Sequence, residues 1–142
     1  RDNKSVNNRL NTNENIRNKA MNGMAIKRNK IVANPLVLYF NTGEAHINLT
    51  AEQRQKIAAI SRCVDKLGAK VQVVGHTDNT GNADNNMVLG QGRADFAKGY
   101  LIQNGILSSH IEATSKGQTE PIADNATDEG KAENRRTVVT IN

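Results

Sequence analysis

Apolar and polar positions alternate in blocks from Ile31 onward. Leu36-Val37-Leu38-Tyr39-Phe40 is an unbroken apolar run just after Pro35, and it predicts a short buried strand ended by Asn41-Thr42-Gly43. Thr50 then offers an N-cap, with Gln53 three residues on to complete a capping box. Ile57, Ile60, Val64 and Leu67 follow at helical spacing, and Gly68 stops the helix. The β-branched stretch Lys70–Gly75 predicts a second strand. A polar loop from His76 to Asp84 leads into a helix reaching about Asn104, capped by Asn82 or Asp84 and ended by Asn104-Gly105. Its inner stripe is expected at Leu89, Phe96 or Ala97, Tyr100 and Leu101. Ile111–Ser115 is a weaker third strand, residues 117–126 a loop around Pro121, Thr127–Asn134 a short capped helix, and Thr137–Ile141 a final strand. The order β-α-β-α-β-α-β over residues 31–142 predicts an α+β domain, a small mixed sheet with helices packed on one face.

The first 30 residues differ in character. Residues 1–13 are Asn-rich and nearly free of apolar side chains, so they bury too little to offset their ordering entropy. Ile16, Ala20 and Met24 make a weak helical stripe further on. This leading segment holds eight Lys/Arg against Asp2 and Glu14, whereas residues 31–142 hold eleven against twelve acids. The chain's net charge of +5 therefore belongs to the leader, which reads as a solvated linker. A nucleic-acid partner is disfavoured: no aromatics interleave with the basic residues, and the domain itself is slightly acidic.

Four aromatic residues, Tyr39, Phe40, Phe96 and Tyr100, leave a mostly aliphatic core. The one cysteine, Cys63, lies on the apolar side of its helix and reads as a small buried hydrophobe. No run approaches the about 20 apolar residues of a membrane span. The chain begins at Arg1 without an initiator Met and reads as a mature or trimmed fragment, so the lack of a signal peptide does not argue for a cytoplasmic protein.

The chemistry concentrates between Val71 and Tyr100. Asp78 stands just past a strand, at the carboxyl end where side chains reach a crevice above the sheet. Asn86 and Arg93 are seven apart on one helix face. A carboxylate and a planar guanidinium on two elements suit a zwitterionic group carrying an ammonium and a carboxylate, with Thr77 and its loop neighbours adding polar contacts. On residues alone, a structural ion pair or a loop-capping Asp78 fits at least as well. Gly90, Gly92 and Gly99 inside the same helix either admit a close neighbour or merely loosen it.

The segment Gly75-His76-Thr77-Asp78-Asn79-Thr80-Gly81, with Asn86, Leu89 and Arg93-Ala94 after it, resembles the OmpA-like peptidoglycan-binding domain. Further matches are Tyr39-Phe40-Asn41-Thr42-Gly43, Leu101 with Gly105-Ile106, Gly117 with Pro121 to Asn125, and Asn134-Arg135-Arg136. The likeness covers about residues 35–142. It implies non-covalent binding of the peptidoglycan stem peptide through its meso-diaminopimelate, with Asp78 on the amino group and Arg93 on the carboxylate. It further implies that Thr77, Asn86 and Arg135 line or support the pocket and that Asn41 and Thr42 form part of the rim. The family usually carries Ser where this chain has Gly90, and often Asp where it has Asn41.

The resemblance therefore implies a binder and not an enzyme, without cofactor or metal. It would anchor an envelope protein to the cell wall in the periplasm, attached to the outer membrane of a Gram-negative bacterium. Contact with a membrane would come only through an upstream region, and a homodimer is left open. The alternatives are a hydrolase acting on the same polymer or a flagellar-stator-type anchoring domain. His46, His76 and His110 are scattered, and His76 with Asp78 lacks a third metal ligand.

Overall fold

The computed structural model describes residues 34–142 together with Lys19, Asn22, Gly23 and Ile26. The expected stripe of Ile16, Ala20 and Met24 lies outside the described residues. The elements run β1 (Leu36–Tyr39), α1 (Ala51–Leu67), β2 (Val71–His76), α2 (Ala83–Gln103), a 3-10 turn (Ser108–His110), β3 (Ile111–Gly117), α3 (Asp128–Asn134) and β4 (Arg136–Ile141). The predicted order is the observed one, and the sheet is mixed. Its strands lie in the order β1-β4-β2-β3, with β4 antiparallel to both neighbours and β2 parallel to β3.

Local chemistry sets the ends of the helices. The Thr50 hydroxyl accepts from the Gln53 amide at 3.1 Å and the Gln53 side chain accepts from the Thr50 amide at 2.9 Å, so two otherwise unpaired donors are satisfied reciprocally. Gly68 closes α1 at φ 63°, a conformation that costs a side-chain-bearing residue dearly. Of the two candidate caps for α2, Asn82 is the one used, accepting from the amides of Asp84 and Asn85. Thr127 caps α3 by accepting from Gly130.

Strand register assembles the core in rows. Leu36, Val139, Val73 and Ala113 form one row across the sheet, and Ile141, Val71 and Ile111 form part of another. Both long helices pack on this face: Ile57, Ile60, Cys63 and Val64 of α1 and Ala94, Ala97 and Leu101 of α2 join the same buried cluster. The opposite face, carrying Val37, Gln72, Val74, Val138 and Thr140, stays half-open.

Towards the carboxyl ends of β1 and β2 the next row is Leu38, Thr137, Gly75 and Ser115, and it is much smaller in volume. There α2 comes down onto the sheet backbone. A Cβ at Gly75 would collide with the Gly90 carbonyl, and a Cβ at Gly90 would collide with the Ser115 hydroxyl. The residues α2 buries are accordingly Asn86, Gly90, Arg93, Ala94, Ala97 and Leu101. Of the expected inner stripe, Ala97 and Leu101 are buried, whereas Leu89, Phe96 and Tyr100 are only half-buried, because the contact of Gly90 with Gly75 brings the backbones too close for a large side chain between them. The two remaining aromatics of that stripe instead join Phe40 along the flank. Phe40 meets Phe96 edge-on at 5.8 Å, and Phe96 meets Tyr100 at 5.2 Å. Gly90 is thus accounted for by Ser115, which fills the space a larger residue would need.

Gly75 of β2 and Gly99 of α2 should separate in a denaturant-unfolding series. Gly75→Ala is expected to cost about 3 kcal/mol or more, since backbone must shift to admit the methyl. Gly99→Ala meets nothing within 4 Å and should stabilise by about 0.5–1 kcal/mol through helix propensity.

Candidate functional site

The close seating of α2 carries Arg93 beneath the ends of β1 and β2. Arg93 is fully buried. Its Nε donates to the Glu44 carbonyl at 2.8 Å, Nη1 to the His76 carbonyl at 2.9 Å and Nη2 to the Asn41 carbonyl at 3.1 Å. Its guanidinium also lies over the Phe40 ring, 5.3 Å from the centroid. Burial lowers its pKa to about 10 against the opposing field of Asp78, so it remains a cation at neutral pH. Two of its five N–H groups stay uncommitted in this arrangement.

Asp78 sits directly after β2 and is almost wholly buried. Burial pushes its carboxyl pKa up, but hydrogen bonds from Thr80 and the Arg135 guanidinium outweigh this and hold it below the ordinary value. Oδ1 accepts from the Thr80 amide at 2.9 Å, and Oδ2 pairs with Arg135 Nη1 at 3.2 Å. Arg135 in turn donates through Nε to the Phe40 carbonyl at 2.8 Å, which ties the loop to β1. The direct ionic partner of Asp78 is therefore Arg135, with the charge of Arg93 close behind.

The other predicted residues fall around this pair. Thr77 is buried; its amide donates to the Gly117 carbonyl and its hydroxyl to the Asp78 carbonyl. Asn86 donates to the carbonyls of Asp78 and Thr80 and, at 2.7 Å, to the Gln118 side chain. Asn41 and Thr42 are exposed on the turn after β1, where Asn41 donates to Glu44 at 3.3 Å and offers its carbonyl to Arg93. Asp78, Arg93, Arg135, Asn86 and Thr77 are thus brought together, with Asn41 touching the group by its backbone and Thr42 at its border. Two participants carried no signal in the sequence: the Glu44 carbonyl and Gln118.

The floor of the site rests on a second buried arginine. Arg136 donates to the carbonyls of Asn134 and Glu120, and the fully buried Asn134 accepts from the amides of Ile122 and Ala123. Asn134 thereby fixes the loop that carries Gln118. His76, at the β2 irregularity opposite Gly117, is buried with Nδ1 lacking a hydrogen-bond partner. Burial, helped by Arg136 and Lys116 and opposed by Glu120, lowers its pKa from 6.5 to about 4. Among the described residues no three His, Cys, Asp or Glu side chains converge to hold a metal, and no helix is long and apolar enough to cross a membrane.

A mixed four-stranded sheet with a buried arginine and a paired aspartate at its strand ends defines a class of domain, and comparison identifies it. The chain belongs to the OmpA family, whose model matches residues 39–135. It is 40% identical over 87 residues to the peptidoglycan-binding protein ArfA of Mycobacterium tuberculosis, covering 58% of this chain and 27% of that protein. It is 38% identical over 96 residues to outer membrane protein A of Bordetella avium, covering 66% and 48%. Among solved structures, the peptidoglycan-associated lipoprotein of Burkholderia pseudomallei superposes with a TM-score of 0.68 at 22% identity, covering 75% of this chain and 89% of that one, which establishes the shared fold. The chain spans less than half the length of either curated relative.

His76 sets a pH test of the site's framework. Its folded pKa lies below the unfolded value, so as pH falls the unfolded chain takes up the proton first. The stability contributed by neutral His76 is complete above pH about 6.5 and is withdrawn between there and about 4. The loss over that window should reach about 3 kcal/mol. The carboxyl of Asp78 acts at lower pH, below the ordinary carboxylate range. Urea-unfolding free energies measured between pH 7 and 4 should show the decline, and His76→Gln should flatten it.

Proposed function

We propose that this domain binds peptidoglycan non-covalently through the diaminopimelate of its stem peptide, and so anchors an envelope protein to the cell wall from the periplasmic side of the outer membrane. The observation that carries this reading is the charge arrangement at the carboxyl end of β2. One ionised carboxylate, Asp78, pairs with the guanidinium of Arg135 and acts on that of Arg93, leaving a surplus of one positive charge. A group bearing an ammonium and a carboxylate complements it: the ammonium goes to Asp78 and the carboxylate to the uncommitted N–H groups of Arg135, within the positive field of the buried Arg93. Lysine offers the ammonium without the second carboxylate and would leave the surplus unanswered. The mycobacterial relative is a peptidoglycan-binding protein, which supports the same polymer.

Arg93 is a fixed electrostatic element in this reading. Its three backbone carbonyls hold it in place before ligand arrives, so little order is lost on binding. Two charge-assisted contacts worth about 1.5–3 kcal/mol each, less the cost of association, give weak affinity at one site. A polymer that repeats the ligand compensates through multivalency. No step of catalysis is required for this role.

Co-sedimentation with insoluble peptidoglycan sacculi tests the proposal. Asp78→Asn, which keeps the shape and removes the charge, should reduce pelleting by on the order of tenfold. Urea unfolding of the same variant should confirm that it is folded. Free meso-diaminopimelate should release bound wild-type protein where free lysine does not. Undiminished pelleting of a folded Asp78→Asn variant would remove the carboxylate from the site, and release of soluble muropeptides would favour the hydrolase reading.

A further inference from the structure

Gln118 lies on the loop after β3, far in sequence from the other residues of the notch. Its Oε1 accepts from Asn86 Nδ2 at 2.7 Å, and Asn86 Nδ2 also reaches the Thr80 carbonyl at 3.1 Å and the Asp78 carbonyl at 3.4 Å. Those two carbonyls can only accept, so they fix which end of the Asn86 amide faces them. The Asn86 nitrogen then faces Gln118 as a donor, and this fixes the Gln118 amide with its oxygen inward. Its Nε2 is left with both N–H groups without an acceptor among the described residues. The side chain is half-exposed, and its carbonyl shares a single donor atom with the backbone of Asp78. A neutral amide, oriented by its oxygen and offering two donors, is therefore tied through Asn86 to the backbone of Asp78.

We infer that Gln118 is a ligand-contacting residue, donating from Nε2 to an acceptor oxygen of the stem peptide: a backbone carbonyl or the carboxylate next to the ammonium held by Asp78. The inference rests on the stem-peptide reading above and adds to it a residue that the charge pattern does not reveal. Its loop is held by Asn134, which accepts from Ile122 and Ala123 and donates to Ala123 and Asn125. Gly130 presses α3 against the same loop, where a Cβ would collide with the Asp124 carbonyl. The amide is thus positioned before ligand arrives, as a specificity contact requires. The chemistry also sets a preference. Two N–H donors favour an unmodified carboxylate or carbonyl oxygen, and a negative side chain at this position would repel a carboxylate.

Two substitutions divide a donor from a merely structural role. Gln118→Glu keeps an oxygen to accept from Asn86 but replaces the donors with a negative acceptor; Gln118→Ala removes both. Titration calorimetry with a soluble meso-diaminopimelate stem tripeptide should show both variants binding on the order of tenfold more weakly than wild type, with Gln118→Glu at least as impaired as Gln118→Ala. Wild-type affinity in Gln118→Glu alongside weakened Gln118→Ala would overturn the proposal and leave Gln118 as a prop for Asn86. Wild-type affinity in both would overturn it outright. Asp78→Asn, run in parallel, keeps the two failures apart. If it loses binding while the Gln118 variants do not, only the Gln118 role falls. If it too binds as wild type does, the stem-peptide reading itself falls.

Discussion

A buried guanidinium holds the functional end of this domain together. Removing Arg93 from water carries a desolvation cost of several kcal/mol, which a protein meets only with well-placed partners. Here the partners are three main-chain carbonyls, Asn41, Glu44 and His76, from the end of β1, the turn beyond it and the end of β2. One side chain of α2 thus gathers the turn after β1 and the end of β2, which share no regular hydrogen-bonding ladder at that point. The ring of Phe40 covers it, and Asp78 opposes its charge. The strand ends and loops at this end of the sheet are tied together by this internal cation.

The cation can sit there only because α2 lies unusually low on the sheet. Gly75 faces Gly90 backbone to backbone, and Ser115 fills the one gap beside them. The lower half of the sheet, with its rows of Leu, Val and Ile, supplies most of the apolar burial. The upper half gives up side-chain volume so that a helix residue can reach the strand ends. Stability and function are thereby divided along the strands: aliphatic packing at one end, and at the other a polar lattice of Arg93, Arg135, Asn86, Asn134 and Arg136.

That lattice also explains why so many polar residues at the site are inaccessible. Asn86 spends its amide nitrogen on two carbonyls and Gln118. Asn134 uses both ends of its amide on one loop, and Arg135 shares its donors between Phe40 and Asp78. These side chains shape the notch and fix its charges. Most of the polar groups here are thus spent on one another and on the main chain.

The element order, caps and strand ends were legible from the chain alone, because each is set by short-range chemistry: a capping box at Thr50 and Gln53, a left-handed Gly68, β-branched runs bounded by polar loops. The family was legible too, since its motifs span the domain from Tyr39 to Arg136. The inner line of α2 was not. Helical spacing predicted Ala97 and Leu101, which are buried, but it also predicted Leu89 and the aromatics, whereas the close approach of Gly75 and Gly90 put Asn86, Gly90, Arg93 and Ala94 on that line. The family resemblance paired Asp78 and Arg93 as two arms of one clamp. The tertiary structure gives the direct ion pair to Arg135, 57 residues away, and commits Arg93 to carbonyls 17 to 52 residues distant. Periodicity reports which residues share a face. Which buried donor meets which carbonyl depends on where separate segments come to rest, and only the folded chain decides that.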